Sequence, residues 1–325
     1  MHNIMKLNLK DKKLLYWLDQ DSRATNKYLG KKVGLSEQAI GYKLKRMEEE
    51  GIIKKYITFI NTPLLGYLHY KVFLRLRNTN VMKEKEIIDF LVSNTNIRWV
   101  VTCSGKWDVS FSTMAKNSQD FTEIYRDIES KIGDYISEKS VFLLIKSPGL
   151  TKGYLINQKG TKIREYGLKT KIIELDQTDK NILNSISQNS RKSVVEIADE
   201  INSTIDIVRY RLKKLEKEGV VTGYTLQLGY DKLGILRYSV FFSLHKMNSS
   251  IEEKMFRFAS THNNIIFMLT MIGTHDLSLE LEVLSYEELE KIIKKFREEF
   301  TDNINNFDII FNTQEYKYDF YPFKI

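Results

Sequence analysis

Gln38, Tyr42, Lys43, Lys45 and Arg46 fall within a few positions of one another in the stretch LSEQAIGYKLKRMEEEGIIKKY, residues 35–56. An amide, a phenol and cations arranged on a helix can hydrogen-bond to base edges and to phosphates. Gln suits adenine, Lys or Arg suits guanine, and Tyr or Lys suits a phosphate oxygen. Ile40, Leu44 and Met47 recur at helical spacing on another face, which turns the polar set away from the core. Ser36 stands where an N-cap belongs. Residues 203–224, STIDIVRYRLKKLEKEGVVTGY, repeat the design with Thr204 as cap and Asp206, Arg209, Tyr210, Arg211 and Lys213 as the polar set. Asp206 repels phosphate yet can accept a bond from cytosine, so the first stretch is expected to supply most of the non-specific affinity.

A second pair of candidates is GKWD and GTHD, with Thr102, Gly105, Trp107 and Asp108 matched by Thr270, Gly273, His275 and Asp276. On chemistry alone these are tight turns between strands, glycine permitting positive φ and Asp bonding the local backbone. Nothing points to catalysis. The five histidines show no ligand spacing, Cys103 sits inside an expected strand, and there is no glycine-rich phosphate loop or serine elbow. No metal and no cofactor are expected.

These candidates are positioned by an internal repeat. A constant offset of 168 residues brings Asp11 onto Asp179, Arg23 onto Arg191, Tyr42 onto Tyr210, Gly51 onto Gly219 and Asp108 onto Asp276. The chain is therefore two copies of one module. The start of each copy shows three short amphipathic helices, with Thr25, Ser36 and Thr204 as caps and Ser193 with Glu196 as a capping box. Gly51 and Gly219 end the third helix in a left-handed cap, followed by the β-branched II and VV. That is the pattern of a winged helix-turn-helix. The remainder of each copy reads β-α-β-β-α-β, the ferredoxin-like order. The fold class is thus α+β, two tandem copies of a winged helix-turn-helix followed by a ferredoxin-like domain. The expected boundaries are 1–60, 61–146, a basic connector at 147–172, then 173–228 and 229–325. The connector is expected to run from ordered to flexible, with a strand at GYLI.

At 325 residues and 42% hydrophobic content the chain can build several cores. Its single cysteine excludes an internal disulfide. The net charge of +8 is uneven: residues 1–60 and 146–171 each carry about +6, while 227–325 carry about −4. A polyanionic partner fits that distribution. No apolar run approaches the ~20 residues of a bilayer span and no signal peptide is evident, so a soluble cytoplasmic protein with no membrane partner is expected.

LDQTDKNIL (175–183), DSRAT (21–25), VGLS (33–36), RLKKLEKEGVV (211–221), KLKRMEEEGII (43–53) and the turns GKWD and GTHD occur in order, and together they resemble the feast/famine, or Lrp/AsnC, regulators. The resemblance covers the chain apart from the connector. It implies binding of double-stranded DNA through the third helix of each copy, and sensing of a small molecule, usually an amino acid, at pockets lined by the GKWD and GTHD residues. It also implies pairing of the ferredoxin-like domains, here expected within the chain as a pseudo-dimer, with further homo-oligomers open. Two alternatives stand beside this reading. One is a DNA-architectural protein without an effector. The other is an enzyme like the sirohaem decarboxylases, which share the two-part architecture; their His-Asn-Tyr and Tyr-Asn-Leu-Trp stretches are absent from NIRWVVTCSGKWDVSF and NIIFMLTMIGTHDLSL. The expectation is a non-enzymatic transcriptional regulator.

Overall fold

The computed structural model describes residues 4–158, 160–167, 172–319 and 321. The first copy begins with helices α1 (Leu9–Gln20), α2 (Asn26–Val33) and α3 (Glu37–Glu49) and the wing strand β1 (Ile53–Ile60). It continues with β2 (Leu68–Leu76), α4 (Val81–Ser93), β3 (Ile97–Ser104), β4 (Val109–Ala115), α5 (Ser118–Ile132) and β5 (Ile136–Lys146). The second copy repeats this as α6 (Gln177–Gln188), α7 (Val194–Glu200), α8 (Ile205–Lys217) and β6 (Val221–Leu228), then a short helix α9 (Tyr230–Leu233). It ends with β7 (Leu236–Leu244), α10 (Ser249–Thr261), β8 (Ile265–Ile272), β9 (Leu277–Val283), α11 (Tyr286–Glu299) and β10 (Ile304–Tyr318).

Local chemistry sets these boundaries. Thr25, Ser36 and Thr204 each accept a backbone N–H three residues on, and Ser193 with Glu196 forms the full capping box. Gly51 and Gly219, at φ 70° and 76°, release the chain from α3 and α8 into the wings.

The two copies interlock about a pseudo-dyad. Wing strands β1 and β6 pair antiparallel, with Tyr56 opposite Leu226 and, reciprocally, Thr58 opposite Tyr224. Leu226 and Leu228 of β6 complete the core of the first three-helix unit, and Ile60 of β1 enters the core of the second. At the dyad the Ser22 and Ser190 hydroxyls meet at 2.6 Å. Arg23 donates to the carbonyls of Ser190 and Lys192, and Arg191 donates to those of Ser22 and Ala24. This is the isologous pattern of a symmetric dimer, written within one chain.

The ferredoxin-like halves pair in the same way. Their strands close into an eight-stranded barrel in the order β10-β3-β4-β2-β5-β8-β9-β7, joined at β10–β3 and β5–β8. Helices α4, α5, α10 and α11 cover the outside, because residues such as Val72 and Leu74 on β2 alternate outward. Phe73, Phe142, Phe241 and Ile310 fill the inside. The β10–β3 joint runs on to Tyr318–Trp99, whereas β5 parts from β8 after Lys146–Thr270 as the chain enters the connector, where Pro148 follows.

The connector is not a loose tether over its described part. GYL forms a 3-10 turn, Gly153–Leu155, in place of the expected strand. Leu155 joins the first helical core, and the Lys152 backbone N–H donates to Asp19. Gly149 pairs with Arg164, whose guanidinium reaches the Leu150 and Asp19 carbonyls. Buried acids of the two copies hold this segment down, and residues 168–171 of the connector lie outside the described residues.

Candidate functional site

Two places in the fold bring functional side chains together. One is the pair of third helices, α3 and α8. The other is the barrel cavity beneath the wings.

On α3, Gln38, Tyr42 and Lys45 are exposed at spacings of four and three, one strip of the helix surface. Their counterparts on α8 are Asp206, Tyr210 and Lys213, equally exposed. Arg209 lies beside them and pairs with Asp206 at 2.8 Å. Ser36 and Thr204 are occupied as N-caps. Lys43 and Arg211, expected at the groove, point elsewhere. Lys43 Nζ lies 2.6 Å from Asp11, whose side chain is only 3% exposed. Arg211 pairs with Asp176 at 2.6 Å and with Asp179, the counterpart of Asp11, at 3.3 Å. Arg46 also leans on Asp11, at 3.5 Å. A buried carboxylate on the first helix of each unit claims these cations, since an uncompensated charge there would be costly. Sequence reasoning missed Ile205 and Ile207, which are exposed on α8 and could meet thymine methyl groups. The acidic ends of the third helices tie each one to its wing, since Tyr56 donates to Glu48 and Tyr224 donates to Glu216. Burial and the acid partner push both phenols well up.

The GKWD and GTHD turns are built into the barrel end. Gly105 has φ 116°. Asp108 accepts the Leu76 backbone N–H at 2.7 Å, and Asp276 accepts that of Leu244 at 2.7 Å. Each carboxylate thus bonds the neighbouring strand, not the turn's own backbone. Trp107 is buried beside Phe73, and His275 lies between Phe142, Phe241 and Asp308, 3.3 Å from the last. Burial holds the His275 pKa down. A Cβ on Gly273 would come within 2.6 Å of Phe142, so that glycine is required by packing. Thr102 bonds Thr313, and Thr270 bonds Glu252. None of these eight residues lines the barrel cavity.

That cavity, of about 160 Å³, lies between the wing sheet and the barrel strands. Charged pairs ring it: Lys71–Glu280 at 3.0 Å, Lys152–Glu282 at 2.6 Å, Arg237–Glu315 at 3.0 Å and Arg164–Asp19 at 3.4 Å. Ser239 and Ser278 donate to Glu280, Tyr154 to Glu282, and Trp99 and Gln227 to Glu315. One of these pairs joins unlike residues of the two copies. Lys71 has Ser239 as its counterpart and Glu280 has Ser112, so in this pair the first copy carries the cation and the second the anion.

Comparison with known proteins follows this division. The winged helix-turn-helix DNA-binding family matches residues 7–54 and 175–222. The regulator LrpA of Pyrococcus horikoshii is 30% identical over 126 residues, 38% of this chain and 84% of that protein. An uncharacterised HTH-type transcriptional regulator of Pyrococcus furiosus is 28% identical over 122 residues, 38% of this chain and 81% of the relative. Among solved structures, the siroheme decarboxylase NirDL aligns with 96% of this chain and 93% of its own at TM-score 0.61 and 14% identity, a likeness of fold. The same protein is also known in complex with an iron-uroporphyrin III analogue. Among the described residues no helix is long and apolar enough to cross a membrane.

Proposed function

From the premise that the chain belongs to the Lrp/AsnC family of helix-turn-helix regulators, with two modules in one polypeptide, we propose that it is a sequence-specific double-stranded DNA-binding transcriptional regulator and not an enzyme. One observation carries this reading. The strips Gln38–Tyr42–Lys45 and Asp206–Tyr210–Lys213 are exposed at equivalent positions of α3 and α8, related by the wing pairing. A helix presenting such a strip can enter a major groove, and two of them about a dyad address two half-sites. Because the strips differ, the preferred operator is asymmetric: Gln38 and Lys45 address one half, Arg209, Ile207 and Lys213 the other. The glycine turns serve a small-molecule effector such as an amino acid. Selection of bound DNA from a random pool tests this reading. Enriched sites with two unlike half-sites are expected, and failure to enrich any sequence would overturn sequence-specific recognition.

A catalytic reading draws on the full-length fold likeness to a siroheme decarboxylase. The cavity argues against it: at about 160 Å³ it is smaller than the roughly 300–1,000 Å³ pockets that enclose drug-sized ligands, and a tetrapyrrole is larger still. Titration with an iron porphyrin carrying acidic side chains, followed by visible absorbance, separates the two. A saturable one-to-one spectral change would favour catalysis.

A further inference from the structure

Two charged residues of the cavity lining, Arg98 and Asp319, have no ion pair among the described residues. Arg98 is 5% exposed and lines the cavity, yet among the described residues no carboxylate lies within ion-pair distance of it, and its Nε has no hydrogen-bond partner. Its Nη2 makes only a long bond, 3.4 Å, to the Thr95 carbonyl. Asp319 favours the charge from farther off, while accepting the Tyr321 backbone N–H. Burial lowers the guanidinium to about 10, so it stays charged at neutral pH. The backbone explains why a cation is there. Strand β3 advances two residues, Ile97 to Trp99, against one on β4, Thr113 to Ser112, so Arg98 is the extra residue of a β-bulge. Bulges re-aim side chains. The second copy has the same bulge between Ile265 and Phe267, and there the re-aimed residue, also on the cavity wall, is Ile266.

His69 stands on the same wall. Its Nδ1 faces the Tyr166 hydroxyl at 2.8 Å, and its Nε2 is buried without a partner among the described residues. With Nδ1 accepting from Tyr166, Nε2 carries the proton and is a second unused donor. Beside these donors lies an apolar slot of Phe59, Phe267 and Met114, the two rings stacked 6.0 Å apart. A buried guanidinium whose Nε lacks an acceptor and an imidazole N–H that lacks one too, next to an aromatic slot, form an anchor for one carboxylate with an apolar body. An α-ammonium would meet Asp19, Glu280, Glu282 and Glu315 already paired, and Asp319, which has no ion pair among the described residues, already accepting the Tyr321 backbone N–H. A cavity of 150 Å³ admits benzene, so one of about 160 Å³ takes a ligand of that order.

We propose that the barrel cavity is a binding site for a small monocarboxylate with an aromatic or branched apolar body, its carboxylate held by Arg98 and His69 and its body by Phe59, Phe267 and Met114. This goes beyond the reading of DNA and does not depend on it. Wing strands β1 and β6 contribute Ile57, Phe59, Thr225 and Gln227 to the same cavity, so occupancy is felt directly by the sheet that joins the two helical units.

The test is calorimetric titration of the full-length chain, without DNA, using benzoate, phenylacetate and 4-methylpentanoate, with benzamide and phenylglycine as the neutral and zwitterionic controls. Benzoate is expected to bind, and benzamide and phenylglycine to bind at least about tenfold more weakly. Arg98→Gln is expected to weaken benzoate at least about tenfold and leave benzamide unchanged. Met114→Trp fills the slot while keeping the cation, and is expected to abolish benzoate binding, which covers the case in which Arg98→Gln does not fold. Absence of heat from all three acids up to about 10 mM, benzoate affinity unchanged in either variant, or phenylglycine equal to benzoate would each overturn the proposal.

Discussion

Lys71 and Glu280 test the idea that the two copies diverged to fit each other. Their side chains are 6% and 14% exposed and meet at 3.0 Å across the barrel, one from β2 and one from β9. Lys71 also lies 4.6 Å from the Trp99 ring, and Glu280 accepts from Ser239 and Ser278. Removing one member of a buried pair leaves the other uncompensated and costs about 3–5 kcal/mol, whereas replacing both with apolar groups is often neutral or stabilising. Lys71→Met and Glu280→Met are therefore each expected to lower stability by about 3–5 kcal/mol, a large fraction of the 5–15 kcal/mol typical of folded proteins. The double variant is expected near wild type, so the coupling is of the order of the two single losses added together, about 6–10 kcal/mol. Urea denaturation followed by circular dichroism measures all four corners of the cycle. Single losses below about 1 kcal/mol, or additive effects, would mean that water reaches the pair and that the complementary divergence is incidental. The same reasoning explains why a first copy pairs with a second copy and not with its own kind. A symmetric dimer of first copies would set Lys71 against Ser112 twice, and one of second copies would bury Glu280 against Ser239 twice.

Further outcomes follow from the same geometry. Lys43→Ala is expected to lower stability by about 1–3 kcal/mol through the loss of a charged bond to buried Asp11. Tyr42→Ala or Lys45→Ala is expected to leave stability unchanged and weaken DNA binding, read by gel shift beside thermal melts. Burial, with Lys71 and Arg98 nearby, drives the His69 pKa from 6.5 down to about 3. Below pH 6.5 the unfolded chain takes up a proton that the folded chain refuses, so stability falls by about 1.4 kcal/mol per pH unit between these values. His69→Asn is expected to flatten that part of the acid-denaturation profile. Gly30→Ala would place a Cβ 2.6 Å from the Leu35 carbonyl and destabilise the turn between α2 and α3. Gly41→Ala meets only Asn26 Nδ2, at 3.6 Å, and is expected to stabilise α3 by about 1 kcal/mol; reduced DNA affinity despite that gain would show that the groove needs the bare backbone.

The local signals were legible in the sequence because they act over a few residues. Helical periodicity, the Ser36, Thr204 and Ser193 caps and the glycines that open the wings depend only on spacing along the chain. The constant offset of 168 carried the two-module architecture and the β-α-β-β-α-β order of each half. Tertiary structure decided which polar residues are free. Lys43 and Lys45 look alike in sequence, but only Lys43 lies over Asp11, 32 positions away. Trp107 and His275 became core residues because barrel closure placed Phe142 and Phe241 around them. The connector looked solvated from its charge, yet Lys152 and Arg164 each meet a buried acid far along the chain. Arg98 turns into the cavity through a bulge that the alternation of β3 does not reveal. Sequence by itself determined the elements and their twofold repetition, since propensity and capping are short-range. The fate of each charge was decided only in the folded chain, because a charge's partner is chosen by packing across separations that run from 32 positions for Lys43 and Asp11 to 209 for Lys71 and Glu280.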